Sequence, residues 1–102
     1  MPSLVQTLIP LNDKQGRPFQ PDCFTQVRRE LTERFGGVTA YSRAPAEGDW
    51  HSGKGVEKDD VIVIEVVVEE LDTKWWKSYR EELERRFEQD EILMRAIDCR
   101  VL

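Results

Sequence analysis

Two residues of this 102-residue chain carry side chains suited to proton transfer and stand in unusual surroundings. His51 is the only histidine, and it follows Trp50 in the segment AEGDWHSGKG. Glu65 interrupts an apolar run, VIVIEVVV. An imidazole titrates near neutral pH, and a carboxylate among apolar neighbours can act as a general base or orient a ligand. The sequence therefore offers His51 and Glu65 as candidate catalytic residues.

Each candidate also has a simpler structural interpretation. The two glycines of SGKG suit the positive φ angles of a hairpin tip, so His51 can equally be a surface residue close to that tip. A metal site is not expected, because no second histidine and no cysteine lies near His51. Glu65 can instead form an ion pair at the rim of an interface. Its partner would be Arg43, Arg95 or Arg100.

Composition and motifs exclude several classes of partner. GDWHSGKG lacks the spacing of a phosphate-binding loop, and no cofactor is expected. The net charge of −5 argues against nucleic acid as the main partner. No apolar run approaches the ~20 residues that a membrane span requires, and no signal peptide is recognised, so no membrane partner is expected. Cys23 and Cys99 lack metal or redox spacing and are expected to be reduced thiols in a cytoplasmic protein.

The strands that would position these side chains follow from apolar runs and turn residues. Four of them are predicted, over residues 3–11, 38–45, 59–71 and 93–102. The third is rich in β-branched residues and is the strongest strand of the chain. If the second and third strands form one long hairpin, its tip falls at SGKG, and Trp50 and His51 lie just below it.

Two amphipathic helices separate the strands. The first begins near Pro21 and ends at the Gly36-Gly37 pair, since glycine takes the left-handed C-cap conformation at little cost. The second is capped by Asp72 and runs to about Asp90. In both helices apolar residues recur at the spacing of one helical face. They are Phe24, Val27, Leu31 and Phe35, and then Trp76, Tyr79, Leu83 and Phe87.

This β-α-β-β-α-β order predicts an α+β protein with the ferredoxin-like fold, also called the α/β plait. We expect a single domain over residues 1–102, with a four-stranded antiparallel sheet and both helices on one face. The first and fourth strands should be adjacent and the third interior. VRRELTERF (27–35) resembles YREELERRF (79–87), which indicates either an internal duplication or two helices with convergent charged faces.

The third strand predicts that the sheet is covered on both faces. Alternate side chains of a strand point to opposite faces, so Ile62, Ile64, Val66 and Val68 should meet the helices. The other face carries Val61, Val63, Glu65 and Val67. Three valines are unusual on a solvated face, which favours a homodimer packed sheet to sheet through Val61, Val63 and Val67. The alternative is an exposed sheet with high β-propensity.

The chain carries a resemblance to known proteins. RELTERFGGVTAYSRAPAEGDW followed by DDVIVIEVVV is similar to short uncharacterised bacterial proteins, and the element order and size resemble the dimeric α/β-barrel group of ferredoxin-like folds. That resemblance implies a homodimer. It also implies relatives that include cofactor-independent monooxygenases, isomerases, dechlorinating enzymes and haem-binding proteins. Such enzymes often use a histidine or an acid in the cavity between sheet and helices.

Two functional hypotheses follow. The first is a non-catalytic homodimeric module that binds a small molecule or another protein. The second is a cofactor-independent enzyme, monooxygenase-like or isomerase-like, with His51 or Glu65 as proton carrier. Tyr41, Arg43 and Trp50 would shape its pocket. Trp75 is a further candidate ligand-binding residue, because it cannot share the core stripe with its neighbour Trp76 and should line a groove. The complete list of candidate ligand-binding residues is Tyr41, Arg43, Trp50 and Trp75.

Overall fold

The described part of the chain, residues 1–43 and 61–102 of a computed structural model, follows the order β-α-β-β-α-β. Its elements are β1 (Ser3–Pro10), α1 (Pro21–Phe35), β2 (Thr39–Arg43), β3 (Val61–Val68), α2 (Thr73–Arg86) and β4 (Leu93–Asp98). The predicted α+β class and element order are therefore confirmed. Within the described ranges, no helix is both long enough and apolar enough to cross a membrane.

The four strands form one open antiparallel sheet in the order β2-β3-β1-β4. β1 pairs with β3 on one side and with β4 on the other. The first and fourth strands are thus adjacent and the third is interior, as predicted. This order matters for the site, because side chains at one level of the sheet form a row that crosses all four strands.

The ends of both helices follow local chemistry. Pro21 opens α1, and Gly36 closes it with a φ of 88°, the left-handed conformation that glycine adopts most easily. The Asp72 carboxylate accepts the backbone N–H of Trp75 at 3.1 Å and so caps α2. α2 ends at Arg86 and not near Asp90, because Glu88 turns into the left-handed region with a φ of 51°.

Both helices pack on the same face of the sheet. Six of the eight residues of the predicted helical stripes are buried there against alternate residues of β1 and β3, and Phe35 and Tyr79 are half-buried. The buried apolar residues of this core are Val5, Ile9, Phe24, Val27, Leu31, Ile64, Val66, Val68, Trp76, Leu83, Phe87 and Ile92. Cys23 and Cys99 are free thiols, each half-buried. With the helices on one side, the opposite side of the sheet is what we call the open face.

Candidate functional site

A row of polar side chains crosses the open face at one level. The register places Gln6 of β1 opposite Glu65 of β3 and opposite Arg95 of β4. On β2 the residue at this level is Thr39, whereas Tyr41 is in register with Val63, one open-face position along the strand, and its hydroxyl reaches Glu65 from there. Because side chains alternate along a strand, the neighbouring open-face positions are two residues away on either side. Those of β1 are Leu4 and Leu8, so the polar row is flanked by apolar side chains.

Hydrogen bonds hold this polar row in a single orientation. The Glu65 Oε2 atom accepts from Gln6 Nε2 at 2.8 Å and from the Tyr41 hydroxyl at 2.9 Å. Gln6 Oε1 in turn accepts from Arg95 Nε at 2.8 Å. An amide has one accepting and one donating end. Arg95 therefore fixes the orientation of Gln6, and Gln6 then presents its NH₂ group to Glu65.

The two charges of the row are separated within the chain. Among the described residues, neither Glu65 nor Arg95 takes part in an ion pair. In the same part of the chain, the hydrogen bonds of Glu65 all reach Oε2, and that of Arg95 comes from Nε. Gln6 stands between them as a neutral spacer. A carboxylate oxygen and the terminal guanidinium nitrogens thus remain available for a group outside the described residues.

Apolar side chains around this row are left partly uncovered. Among the described residues, the large apolar side chains that a strand leaves about half exposed are Tyr41 (43%), Val67 (48%), Leu93 (50%) and Ile97 (46%). All four belong to the open face by register. Of the predicted interface valines, Val61 is half-buried and Val63 is only 1% exposed, so Val67 contributes most of the accessible valine surface.

A cleft lies at one end of the open face, next to Glu65. It has a volume of about 410 Å³ and is bounded by Leu4, Glu65 and Val67 of the sheet and by residues 35–39, which join α1 to β2. Gly36 and Gly37 form part of its wall, and a Cβ atom placed on either would meet nothing within 4 Å. The cleft is open and has an apolar side and a carboxylate.

The structure brings together some of the predicted site residues. Tyr41 and Glu65 are in direct contact, as a shared site requires. Arg95, one of three arginines predicted as a partner of Glu65, reaches it only through Gln6. His51 and Trp50 lie outside the described residues, as does the side chain of Arg43. Within the described residues, no group of three or more His, Cys, Asp or Glu side chains is arranged to hold a metal ion.

Trp75 belongs to a different region. It is half-buried on α2, stacks on Tyr79 with ring centroids 5.0 Å apart, and carries the Arg34 guanidinium 4.2 Å above its ring. Its exposure matches the prediction, but its neighbours belong to the helix layer. The wall of the cleft beside Glu65 does not include Trp75.

Gln6 is the site residue that sequence reasoning missed. In SLVQTLIP it is the polar residue between Leu4 and Leu8 on the open-face side of β1. Glu65 occupies the same kind of position between Val63 and Val67 on β3. A lone polar residue on the apolar side of two strands was the available signal, because such residues tend to pair with one another across strands.

A second group of titratable side chains, which we call the interhelix cluster, joins α1 to α2. Glu30 accepts hydrogen bonds from Arg86 Nη1 and Nη2, each at 3.0 Å, and from the Tyr79 hydroxyl at 2.7 Å. Burial raises the pKa of Glu30, but the bonds and charge of Arg86 and the bond from Tyr79 outweigh it, so this pKa lies below its ordinary value. Burial and the Glu30 carboxylate both raise the pKa of Tyr79. This cluster stabilises the helix pair.

Comparison with known proteins adds a fold relative. No protein-family model and no curated protein sequence matches the chain. Among solved structures, the chain is similar to a phage SAM lyase in complex with S-methyl-5′-thioadenosine, with a TM-score of 0.65 and 13% sequence identity. The similarity covers 95% of this chain and 81% of that chain. At this identity it shows a shared fold alone.

Proposed function

We propose that this protein is a homodimeric binding module in which the open face of the sheet packs against the open face of a second copy. The observation that carries the proposal is the position of Tyr41, Val67, Leu93 and Ile97, which are about half exposed and all lie on that face. Apolar side chains gathered on one surface are typical of interaction sites. Their burial against an identical surface would remove them from water.

The size of the open face supports a dimer of modest stability. Strands ~4.8 Å apart with a rise of ~3.3 Å per residue give a face of roughly 450 Å² per copy. Pairing two such faces, with the rims included, approaches the ~1,200 Å² at which specific interfaces begin. A closed two-fold pair is the commonest assembly of identical chains. It is also the arrangement of the dimeric α/β-barrel group that the sequence resembles.

The cleft beside Glu65 supports a small molecule as the ligand of this module. Its volume of about 410 Å³ falls in the range of small-molecule pockets, roughly 300–1,000 Å³. The cleft is open at the end of the open face, and a second copy packed there would cover it further. The ligand would then contact both the sheet and the turn at Gly36 and Gly37.

Light scattering on the purified protein tests the dimer. We expect the wild-type chain to be dimeric at tens of micromolar. Val67→Glu and Ile97→Glu should each weaken the dimer about 100-fold, because an unpaired carboxylate would be buried in an apolar interface.

The matched control is Val101→Glu, since Val101 is 66% exposed and lies outside the strands. This variant should remain dimeric, and circular dichroism should show that all three variants keep the wild-type fold. A wild-type chain that stays monomeric at those concentrations would contradict the proposal.

A cofactor-independent enzyme is the second candidate function, with Glu65 or His51 as proton carrier and a monooxygenase-like or isomerase-like reaction as the class that the sequence resemblance implies. The Glu65 carboxylate favours it, because Gln6 and Tyr41 fix one oxygen and leave the other without a hydrogen bond from the described residues. A general base needs such a positioned, accessible oxygen. The fold relative is itself an enzyme, a phage SAM lyase.

Incubation with SAM tests one reaction for this second candidate, the one that the name of the fold relative supplies. Chromatography would detect release of S-methyl-5′-thioadenosine, and Glu65→Gln should abolish the release while Glu69→Gln, an exposed neighbour, should not. His51→Ala separates the two proton carriers. Product at the level of a heat-inactivated sample, or product at the wild-type level from both Glu65→Gln and His51→Ala, would contradict SAM cleavage with these residues as proton carriers.

A further inference from the structure

We infer that each copy supplies Arg95 to Glu65 of the other copy, so that the pairing of two open faces completes the polar row. This inference rests on the proposed homodimer and specifies its geometry. It starts from two charges of opposite sign that both lie on the open face. Within the described residues, neither of them has an ion-pair partner.

The chain itself keeps these charges apart. Gln6 is in register with Glu65 on one side and with Arg95 on the other. Gln6 forms a hydrogen bond of 2.8 Å with each of these side chains. They lie on the two neighbouring strands, on opposite sides of Gln6. A half-buried carboxylate among valines is stabilised when a cation completes its surroundings. The terminal nitrogens of Arg95 are suited to that role, since they make no hydrogen bond within the described part of the chain.

The symmetry of a sheet-to-sheet pair brings these groups together. The strands lie in the order β2-β3-β1-β4, so the midline of the sheet passes between β3 and β1. A two-fold axis along this midline places β3 over β1 of the second copy, and β2 over its β4. Glu65 then faces Gln6 of the second copy, and the second copy's β4 passes one strand away, about 4.8 Å to the side.

The direction in which Arg95 leans closes that lateral gap. Its Nε atom donates to Gln6, so the side chain of Arg95 tilts from β4 toward the midline of its own sheet. In the dimer, Arg95 of the second copy starts above β2 of the first copy. The same tilt brings its guanidinium toward Glu65 of the first copy. With facing sheets about 10 Å apart, an arginine and a glutamate side chain span the distance between them. The two-fold axis repeats the pair, so the interface has two identical Glu65–Arg95 ion pairs.

The charges also argue against the other two-fold arrangement. An axis across the strands would stack every strand on its own counterpart, and like groups meet where that axis passes through the polar row. Glu65 would then oppose Glu65 and Arg95 would oppose Arg95, and like charges placed together disfavour association. The polar row therefore favours the axis parallel to the strands, and the apolar side chains around it fill the rest of the contact.

Charge reversal in two separate chains tests the inference. Glu65→Arg alone sets two arginines against each other, and Arg95→Glu alone sets two carboxylates against each other. Each variant by itself should dimerise about 100-fold more weakly than the wild type. An equimolar mixture should restore association to within about tenfold of the wild type, because the heterodimer has one Arg–Glu pair at each of its two sites.

Mixing separates a contact between copies from a contact within one chain, since an internal effect cannot be rescued by a second chain. Arg28→Glu on the exposed side of α1 is the matched control and should dimerise like the wild type. If the wild type dimerises but the mixture associates no better than its components, the Glu65–Arg95 contact is wrong and the proposed homodimer is retained. If the wild type is monomeric, both the proposed homodimer and the Glu65–Arg95 contact are wrong.

A neutral pair of variants covers the case in which a charge reversal prevents folding. Glu65→Gln and Arg95→Gln keep the approximate shapes of the side chains. Dimer dissociation constants measured for both single variants and for the double variant form a double-mutant cycle. We expect each single variant to weaken the dimer at least tenfold and the double variant to weaken it by less than the product. Independent, multiplicative effects would overturn the ion pair.

Discussion

Replacing Glu30 by glutamine removes one charge from the interhelix cluster while keeping the size of the side chain. The Glu30 carboxylate accepts a bidentate pair of bonds from Arg86 and a third from the Tyr79 hydroxyl. These partners lie 56 and 49 residues further along the chain, so the cluster ties α1 to α2. The substitution therefore tests how much an ion pair between two helices contributes to the fold.

The exposure of the two charged groups determines how much stability the substitution should remove. The side chains of Glu30 and Arg86 are 31% and 28% exposed, so solvent screens their attraction only in part. Bonds to charged groups are worth roughly 1.5–3 kcal/mol, exposed pairs about 1 kcal/mol or less, and glutamine retains some of the bonding. We expect Glu30→Gln to lower the free energy of unfolding by about 1–2 kcal/mol at neutral pH.

The lowered pKa of Glu30 gives this difference a characteristic pH dependence. A carboxyl whose pKa is lower in the folded than in the unfolded state stabilises the fold fully above its unfolded pKa. That contribution is lost as pH falls through the folded pKa. The gap between the wild type and Glu30→Gln should therefore be full at neutral pH, begin to close below the ordinary pKa of glutamate, and vanish in stronger acid.

Urea denaturation followed by tryptophan fluorescence, repeated from neutral to strongly acid pH, measures this gap. Glu33→Gln is the matched control: Glu33 lies on the same helix, is exposed and takes part in no ion pair among the described residues. It should change the free energy of unfolding by less than about 0.5 kcal/mol. A Glu30→Gln gap no larger than that of Glu33→Gln, or a gap that stays constant into strong acid, would refute the reasoning.

Three further substitutions test the supports of the fold, each through the free energy of unfolding. Asp72→Ala removes the N-cap of α2 and should cost about 1 kcal/mol, and Asp72→Asn should restore most of it. Gly36→Ala should cost about 1 kcal/mol because of the left-handed backbone, whereas Gly37→Ala should change little; equal effects would contradict this cause. Leu83→Ala, at a fully buried position, should cost roughly 2–5 kcal/mol, and the exposed Leu102→Ala should cost almost nothing.

The helices could be predicted from the sequence because their signals are local. An apolar stripe of one residue per helical turn marks the buried face, and Phe24, Val27 and Leu31 are buried as that spacing requires. The helix caps could also be predicted, since Asp72 and Gly36 each bond to backbone atoms only a few residues away. The end of α2 was harder to predict, because the left-handed residue there is Glu88 and not a glycine, which would have marked the helix end in the sequence.

The candidate site was predictable only in part. Glu65 was identified because a carboxylate among valines requires compensation, and Tyr41 was named among the residues that would shape a pocket around it. The predictions for His51 and Trp50, like the dimer and the cytoplasmic location, stay predictions. Among the predicted interface valines, pattern alone made Val63 and Val67 equivalent, whereas the folded chain leaves one 1% and the other 48% exposed.

By itself, the sequence determined which face of each helix is apolar, because periodicity is a property of neighbouring residues. It also determined the α+β class, because the order of the elements restricts how the chain can fold. Only the tertiary structure decided that Gln6 stands between Glu65 and Arg95, residues that lie 59 and 89 positions away from it. Strand register is set by pairing between distant segments, and a shift of one residue would have turned these side chains to the opposite face.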